Sequence, residues 1–361
     1  MPLAECADKN MIDKDEYPQT AALESRCVNI LARLWHAPGT SGGSAPADDL
    51  GDDTGGSAAT GCSTTGSSEA AMLAGLALLR RWRSRRRAAG LPTDRPNIVM
   101  GVNVQVCWDK FARYWDVEPR LDAMTGETYH LTGAGVVAQC DENTMGVVAI
   151  LGSTFDGSYE PLADICAALD DLAARTGVEV PVHVDGASGA MIAPFIDLEL
   201  IWDFRLPRVA SINTSGHKYG LVYPSVGWIV WRDAEALPVE LVFKVNYLGG
   251  EMATFALNFS RPGAQVVAQY YQLVRLGFEG FRRVQQYARD FDVSTALRQR
   301  GRQVPAYTFP ADREDLAVLR IVVRDGFTHD LADLLLHDLR RVLPTAHRGP
   351  PGPAEAEAFH H

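Results

Sequence analysis

Lysine is scarce in this chain. Of 361 residues only five are lysine, at positions 9, 14, 110, 218 and 244, and the other basic residues are arginine. Any chemistry that needs a primary side-chain amine is confined to those positions. Paired cysteines are also missing. The six cysteines, at 6, 27, 62, 107, 140 and 166, include no CxxC pair. A chain this long holds its core without disulfides, so reduced cytosolic thiols are expected. The nine histidines show no HxxxH spacing and no His/Cys cluster, so no zinc signature is present. The apolar run from Ala70 to Leu79 is ten residues long, about half of what a membrane-crossing helix needs. The opening MPLAECADKN lacks a basic region followed by an apolar core, and no signal peptide is expected. Positive charge is not in excess. With 34 basic against 45 acidic residues the net charge is −11, which argues against nucleic acid as the main partner. What remains is ordinary: 47% hydrophobic and 22% charged residues describe a globular chain. Its length fits two domains, or one large domain with a small companion.

Residues 39 to 66 are dominated by Gly, Ser, Ala, Thr and Asp. Such a stretch buries too little apolar area to offset its ordering entropy, and most of it is expected to be a mobile loop. A helix follows, capped by Ser67 or Ser68 and running through good helix formers to Arg87. It ends in RRWRSRRR, read as a solvated terminus whose cations suit the helix dipole. Short β-type runs then alternate with helical ones. Asn97–Cys107, Met145–Gly152, Val178–Val184, Val209–Asn213 and Val226–Trp231 read as strands. Glu160–Thr176 reads as a helix stopped by Gly177. This alternation predicts an α/β fold with parallel strands covered on both faces. Residues 264–289 predict a long helix broken near Gly277, and Leu316–Val323 a further strand. The expected division is a large domain over 1–288, a small one over 289–347 and a loose tail over 348–361.

Lys218 stands apart from the other lysines. It follows the strand VASIN within Asn213-Thr214-Ser215-Gly216-His217-Lys218-Tyr219-Gly220. The space beyond strand C-termini is where α/β folds bind ligands, and an amine there can form a Schiff base. A surface lysine on a turn is the alternative. Asp185 ends another strand, 33 residues earlier, and is followed by the small residues Gly186, Ala187 and Ser188. It is read either as a helix cap or as a carboxylate facing a ligand ring. A pyridoxal cofactor requires such a pair: an amine for its aldehyde and a carboxylate that keeps its ring nitrogen protonated. Gly66-Ser67-Ser68-Glu69 opens a helix, which makes it either a plain N-cap or a cradle for a phosphate. His217 is a further phosphate donor. Thr154 follows the strand MGVVAILG and can reach the ring. Gln105 and Ala187 are candidates for its two faces.

Longer segments carry a resemblance. GSSEAAML, VQVCWDKFARYWDVE, CDENTMGVV, HVDGASG, WDFRLPRVASINTSGHKYG and the run from EALPVELVFKVNYLGGEMATFALNFSRP onward are similar to pyridoxal-phosphate-dependent glutamate decarboxylase, as is IDKDEYPQTAALESRCVNILARLWHAP. The resemblance implies a fold-type I α/β architecture, with a mostly parallel seven-stranded sheet, flanking helices and a small α+β C-terminal domain. It implies pyridoxal 5'-phosphate as cofactor, L-glutamate as substrate, no metal, a cytoplasmic location and a homo-oligomer with active sites at subunit interfaces. Carried onto matching positions, Lys218 is the Schiff-base lysine and Asp185 the partner of the ring nitrogen. Ser67, Ser68, Ser215 and His217 bind the phosphate, and Ser260 reaches that of a neighbouring subunit. Gln105 and Ala187 sandwich the ring, with Thr154 beside it. Asn10 and Asp13 help bind the distal carboxylate of the substrate, Arg320 holds its α-carboxylate, and Tyr247 and Leu248 belong to a hairpin bordering the site.

The pattern is departed from in three places. Asp109 in CWDKF stands where the family has histidine, a leading segment is missing, and part of the small domain is absent after Asp290. These departures give a second reading: a shortened homologue, catalytically impaired, that binds the cofactor or partners without turnover.

Overall fold

The computed structural model describes residues 3–40, 59–125, 128–245, 252–290, 306–308, 317–319, 328–334 and 336–337. Its centre is a seven-stranded sheet in the order β1-β7-β6-β5-β4-β2-β3. The strands are β1 (Gly61–Thr64), β2 (Asn97–Gly101), β3 (Glu118–Asp122), β4 (Thr144–Ile150), β5 (Val182–Asp185), β6 (Val209–Ser215) and β7 (Gly227–Trp231). From β3 to β6 every pairing is parallel, while β7 runs antiparallel to both β6 and β1.

Strand after strand is buried on both faces. Val147 and Val148, neighbours on β4, belong to different core clusters, as do Ile229 and Val230 on β7. Alternate side chains point to opposite faces of a strand, so this division requires helices on both sides. On one face lie α1 (Pro18–Leu34), α5 (Leu162–Thr176) and α7 (Gly263–Asp290); on the other lie α2 (Ser67–Ala88) and α3 (Val106–Tyr114). Two short helices, α4 (Gly133–Gln139) and α6 (Ala193–Ile196), complete the layers. Helix α5 buries Ile165, Leu169 and Leu172 at helical spacing and stops at Gly177, whose φ of 74° is left-handed. Truncating such a buried leucine to alanine costs about 2–5 kcal/mol. At Gly75, α2 lies so close to α3 that an added Cβ would sit 2.5 Å from the Phe111 ring.

Several expectations are corrected. The stretch 39–66 was expected to be mostly loop, but its last residues form β1, which pairs with β7. The strand expected over Asn97–Cys107 ends at Gly101, and Gln105 is instead the N-cap of α3. Strand β3, with the sequence EPRLD, was not anticipated at all. The break near Gly277 is present, with φ of 59° inside α7. Outside the main sheet, β8 (Phe243–Val245) pairs with β9 (Met252–Thr254), and β10 (Ala306–Thr308) with β11 (Ala317–Leu319). Among the described residues no helix is long and apolar enough to cross a membrane.

Candidate active site

Parallel strands β4, β5 and β6 end side by side, and each is followed by a loop carrying candidate residues. Asp185 is the last residue of β5 and is only 6% exposed. Its Oδ1 accepts from the Ala187 backbone N–H at 3.2 Å and from Asn213 Nδ2 at 3.3 Å, and its Oδ2 accepts from Trp108 Nε1 at 2.9 Å. A carboxylate accepts about four hydrogen bonds. Among the described residues one acceptor position on Oδ2 is therefore left for a further donor.

Lys218 lies past the end of β6. Its backbone N–H donates to Ser215 O at 3.3 Å, and its Nζ donates to Ser188 Oγ at 3.4 Å, in the loop that follows Asp185. Burial pushes the Cys107 thiol up to about 12, the Asp185 charge adds to the rise, and the Lys218 charge opposes it. The first turn of α3 thus shares one electrostatic environment with both residues.

The loop that holds Lys218 is gripped by three glutamines of α7. Gln269, Gln272 and Gln285 donate to the carbonyls of Gly220, Leu221 and Tyr219 at 2.9, 3.1 and 2.9 Å. At Gly220 any Cβ would come within 2.6 Å of the Gly216 carbonyl, so the turn requires glycine.

The N-terminus of α2 opens onto the same end of the sheet. Its N-cap is Gly66, which offers no side-chain cap. The first N–H groups of the helix and the hydroxyls of half-buried Ser67 and exposed Ser68 are the donors there. Ser215 Oγ donates to Ser67 Oγ at 2.7 Å, tying the cradle to β6. Gly227 lets β7 approach: a Cβ there would lie 2.4 Å from the Gly66 carbonyl carbon. Buried Glu69 shapes the entry, accepting from the Thr65 N–H at 2.7 Å and from the Asn258 N–H at 2.9 Å.

His217, Thr154, Gln105 and Ala187 are all half-buried. His217 adjoins Lys218, Ala187 follows Asp185, Gln105 caps α3, and Thr154 follows β4 just after Gly152, whose φ is 89°. Asn10, Asp13 and Ser260 form a second cluster. Asn10 Nδ2 donates to Ser260 Oγ at 3.2 Å, the Arg261 N–H donates to Asn10 Oδ1 at 3.1 Å, and the Asp13 N–H donates to Asn10 O at 3.2 Å. Asn258, two residues before Ser260, links this segment to the α2 cradle by donating from Nδ2 to Thr65 Oγ1 at 3.0 Å. Arg320, Tyr247 and Leu248 lie outside the described residues. Asp109 is half-buried in the first turn of α3; burial raises its carboxyl above the usual range, and Arg113 one turn later opposes the rise.

The residues missed by the sequence reading are Trp108, Asn213 and the α7 glutamines. Asn213 carried a signal: on β6 it alternates with apolar Ile212 and faces the same side as Ser211 and Ser215.

Known proteins share this architecture. Residues 2–318 match the pyridoxal-dependent decarboxylase conserved domain. The chain is 50% identical to a glutamate decarboxylase of Aliivibrio fischeri, over 93% of this chain and 78% of that protein. It is 47% identical to one of Solanum lycopersicum, over 95% of this chain and 74% of that protein. Among solved structures, the glutamate decarboxylase of Lactobacillus brevis superposes with a TM-score of 0.85 at 39% identity, covering 97% of this chain and 85% of that one. A sphingosine-1-phosphate lyase of Burkholderia pseudomallei, at 21% identity and a TM-score of 0.72, shares the fold. The sheet and these similarities define a fold-type I enzyme that uses pyridoxal phosphate. The chain belongs to the pyridoxal-dependent decarboxylase family.

The residues present fit that cofactor. Asp185 keeps an acceptor position for a protonated ring nitrogen, the start of α2 offers donors to a phosphate, and Lys218 provides the amine.

Proposed function

We propose that this protein decarboxylates L-glutamate to 4-aminobutyrate and CO2, consuming one proton per turnover. One observation supports the chemistry: Asp185 ends β5, Lys218 follows the end of the adjacent β6, and Lys218 Nζ donates to Ser188 in the loop after Asp185. The choice of glutamate is supported by the relatives' printed activity. When bound, pyridoxal phosphate supplies an aldehyde for the substrate's amine and a protonated ring that accepts the electron pair left at Cα.

The chain's own residues do the rest. Asp185 holds the proton on the ring nitrogen. Ser67, Ser68, Ser215 and His217 neutralise the phosphate with N–H and side-chain donors, and Ser260 does so for a neighbouring subunit. Gln105 and Ala187 would hold the cofactor's ring, with Thr154 beside it. Arg320 holds the α-carboxylate, and Asn10 and Asp13 the distal one. Together they would hold the substrate's Cα–carboxylate bond in a reactive orientation, so positioning would supply much of the rate. Cα receives its proton from Lys218 Nζ or from the hairpin bearing Tyr247 and Leu248. We further infer a homo-oligomer with sites at subunit interfaces, a cytoplasmic setting, and a small domain over 289–347.

The test is an assay of CO2 and 4-aminobutyrate from glutamate at mildly acidic pH, with molecular mass measured on the same sample. Equimolar products from an oligomer are expected. Amino-group transfer to a keto acid would overturn the reading, and a bound cofactor without turnover would establish the impaired-homologue alternative.

A further inference from the structure

Beneath Asp185 lies a buried polar layer on one face of β5 and β6. Strands β5 and β6 pair in parallel with His183 opposite Ser211 and Asp185 opposite Asn213. The spacing of two puts all four side chains on one face. His183 and Asn213 are 0% exposed and Ser211 is 1% exposed. His183 Nε2 lies 2.9 Å from Asn213 Oδ1, His183 Nδ1 lies 2.8 Å from Ser211 Oγ, and Asn213 Nδ2 donates to Asp185 Oδ1 at 3.3 Å.

The direction of these bonds is fixed by chemistry. The Asp185 oxygen only accepts, so the Asn213 amide must turn its NH2 towards it and its carbonyl oxygen towards His183. That oxygen also only accepts, so His183 must carry its hydrogen on Nε2. Nδ1 is then left to accept the Ser211 hydroxyl hydrogen. Each donor polarises the next along such a chain. We propose that His183 is a positioning residue for the cofactor's ring nitrogen, the middle link of a one-way donor chain from Ser211 through His183 and Asn213 that ends on Asp185. Burial pushes the imidazole down to about 4, which keeps it neutral at ordinary pH. A neutral link orients the carboxylate without adding a positive charge to compete with the ring nitrogen. Trp108 closes the other side: its ring centroid is 5.4 Å from that of His183, and its N–H holds the second carboxylate oxygen.

This inference rests on the assignment of Asp185 above, and the test separates the two. The full-length protein is stripped of cofactor and titrated with pyridoxal phosphate and with 1-deazapyridoxal phosphate, whose ring carries C–H in place of nitrogen. A charge-assisted hydrogen bond to the ring nitrogen makes the natural cofactor bind about tenfold or more tighter. In His183→Phe that preference should fall to about threefold or less, with affinity for the deaza analogue unchanged within about twofold. The visible absorbance band should remain, and kcat on glutamate should fall about tenfold while KM stays within about threefold. His183→Gln, which offers a donor near the Nε2 position, should recover part of the preference. Ser211→Ala should shift it in the same direction by less, and these two variants decide the matter if His183→Phe does not fold. Equal loss of affinity for both cofactors, or an unchanged preference in all the variants, would overturn the proposal. If Asp185→Asn itself keeps the wild-type preference, the assignment of Asp185 fails and takes this inference with it. If only Asp185→Asn loses the preference, the role of His183 alone is refuted.

Discussion

Trp108 donates its indole N–H to Asp185 Oδ2 across 2.9 Å, joining a helix on one face of the sheet to the carboxylate at the end of its central strand. The indole is fully buried. Trp108→Phe keeps most of the packing and deletes that donor. A hydrogen bond to a charged group contributes about 1.5–3 kcal/mol, so kcat/KM on glutamate should drop about 10- to 100-fold. Steady-state kinetics with the fold checked by circular dichroism decides this.

Lys218→Ala should abolish the visible absorbance band of the holoenzyme and lower kcat by more than about a thousandfold. Absorbance spectra and product assays read both effects. An unchanged band would remove Lys218 from the mechanism.

Asp109 makes a prediction about pH. Its carboxyl is raised in the folded state by burial. The folded protein then binds more protons than the unfolded chain between the two pKa values, so stability falls as pH rises through that interval and stays lower above it. Asp109→Asn should therefore raise Tm at neutral pH and change it little in acid below both values. Asp109→His should in addition raise kcat/KM on glutamate, which carries two carboxylates, by removing a negative charge beside the candidate site. Thermal melts across pH and kinetics at fixed pH test the two claims separately.

Arg261 and Glu24 form a buried ion pair at 3.1 Å, with side chains 5% and 9% exposed. Arg261 also donates to Ser63 on β1, and its backbone adjoins Asn10. Arg261→Met leaves a buried carboxylate uncompensated and should cost about 3–5 kcal/mol. Replacing both residues with methionine should cost clearly less. Denaturant unfolding of the single and double variants measures the difference.

The sequence showed the strands and helices that carry their own apolar period. It also showed that Asp185 and Lys218 lie at or just past strand ends, because strand ends followed by small residues are local signals. It did not show β1, whose four residues GCST have no apolar run and become a strand only by pairing with β7. It did not show β3 either: EPRLD is a polar edge strand whose register is set by β2 alone. The roles of His183 and Asn213 were hidden for a related reason. Their partners sit 28 and 30 residues away along the chain, and only the register of β5 against β6 joins them. The α7 glutamines gave no sequence signal of their own; only the fold sets them on the lysine loop.

That loop is steered from a distance. Gln269 and Gln272 precede Gly277, where α7 changes direction, and Gln285 follows it. The turn after Lys218 is therefore held by both limbs of a bent helix. Swinging the outer limb would tug on the Tyr219 carbonyl while the inner limb kept its hold on Gly220 and Leu221. The backbone that follows Lys218 is thus braced from both sides of a bend in one helix, so a change in that bend is felt first at residues 219–221.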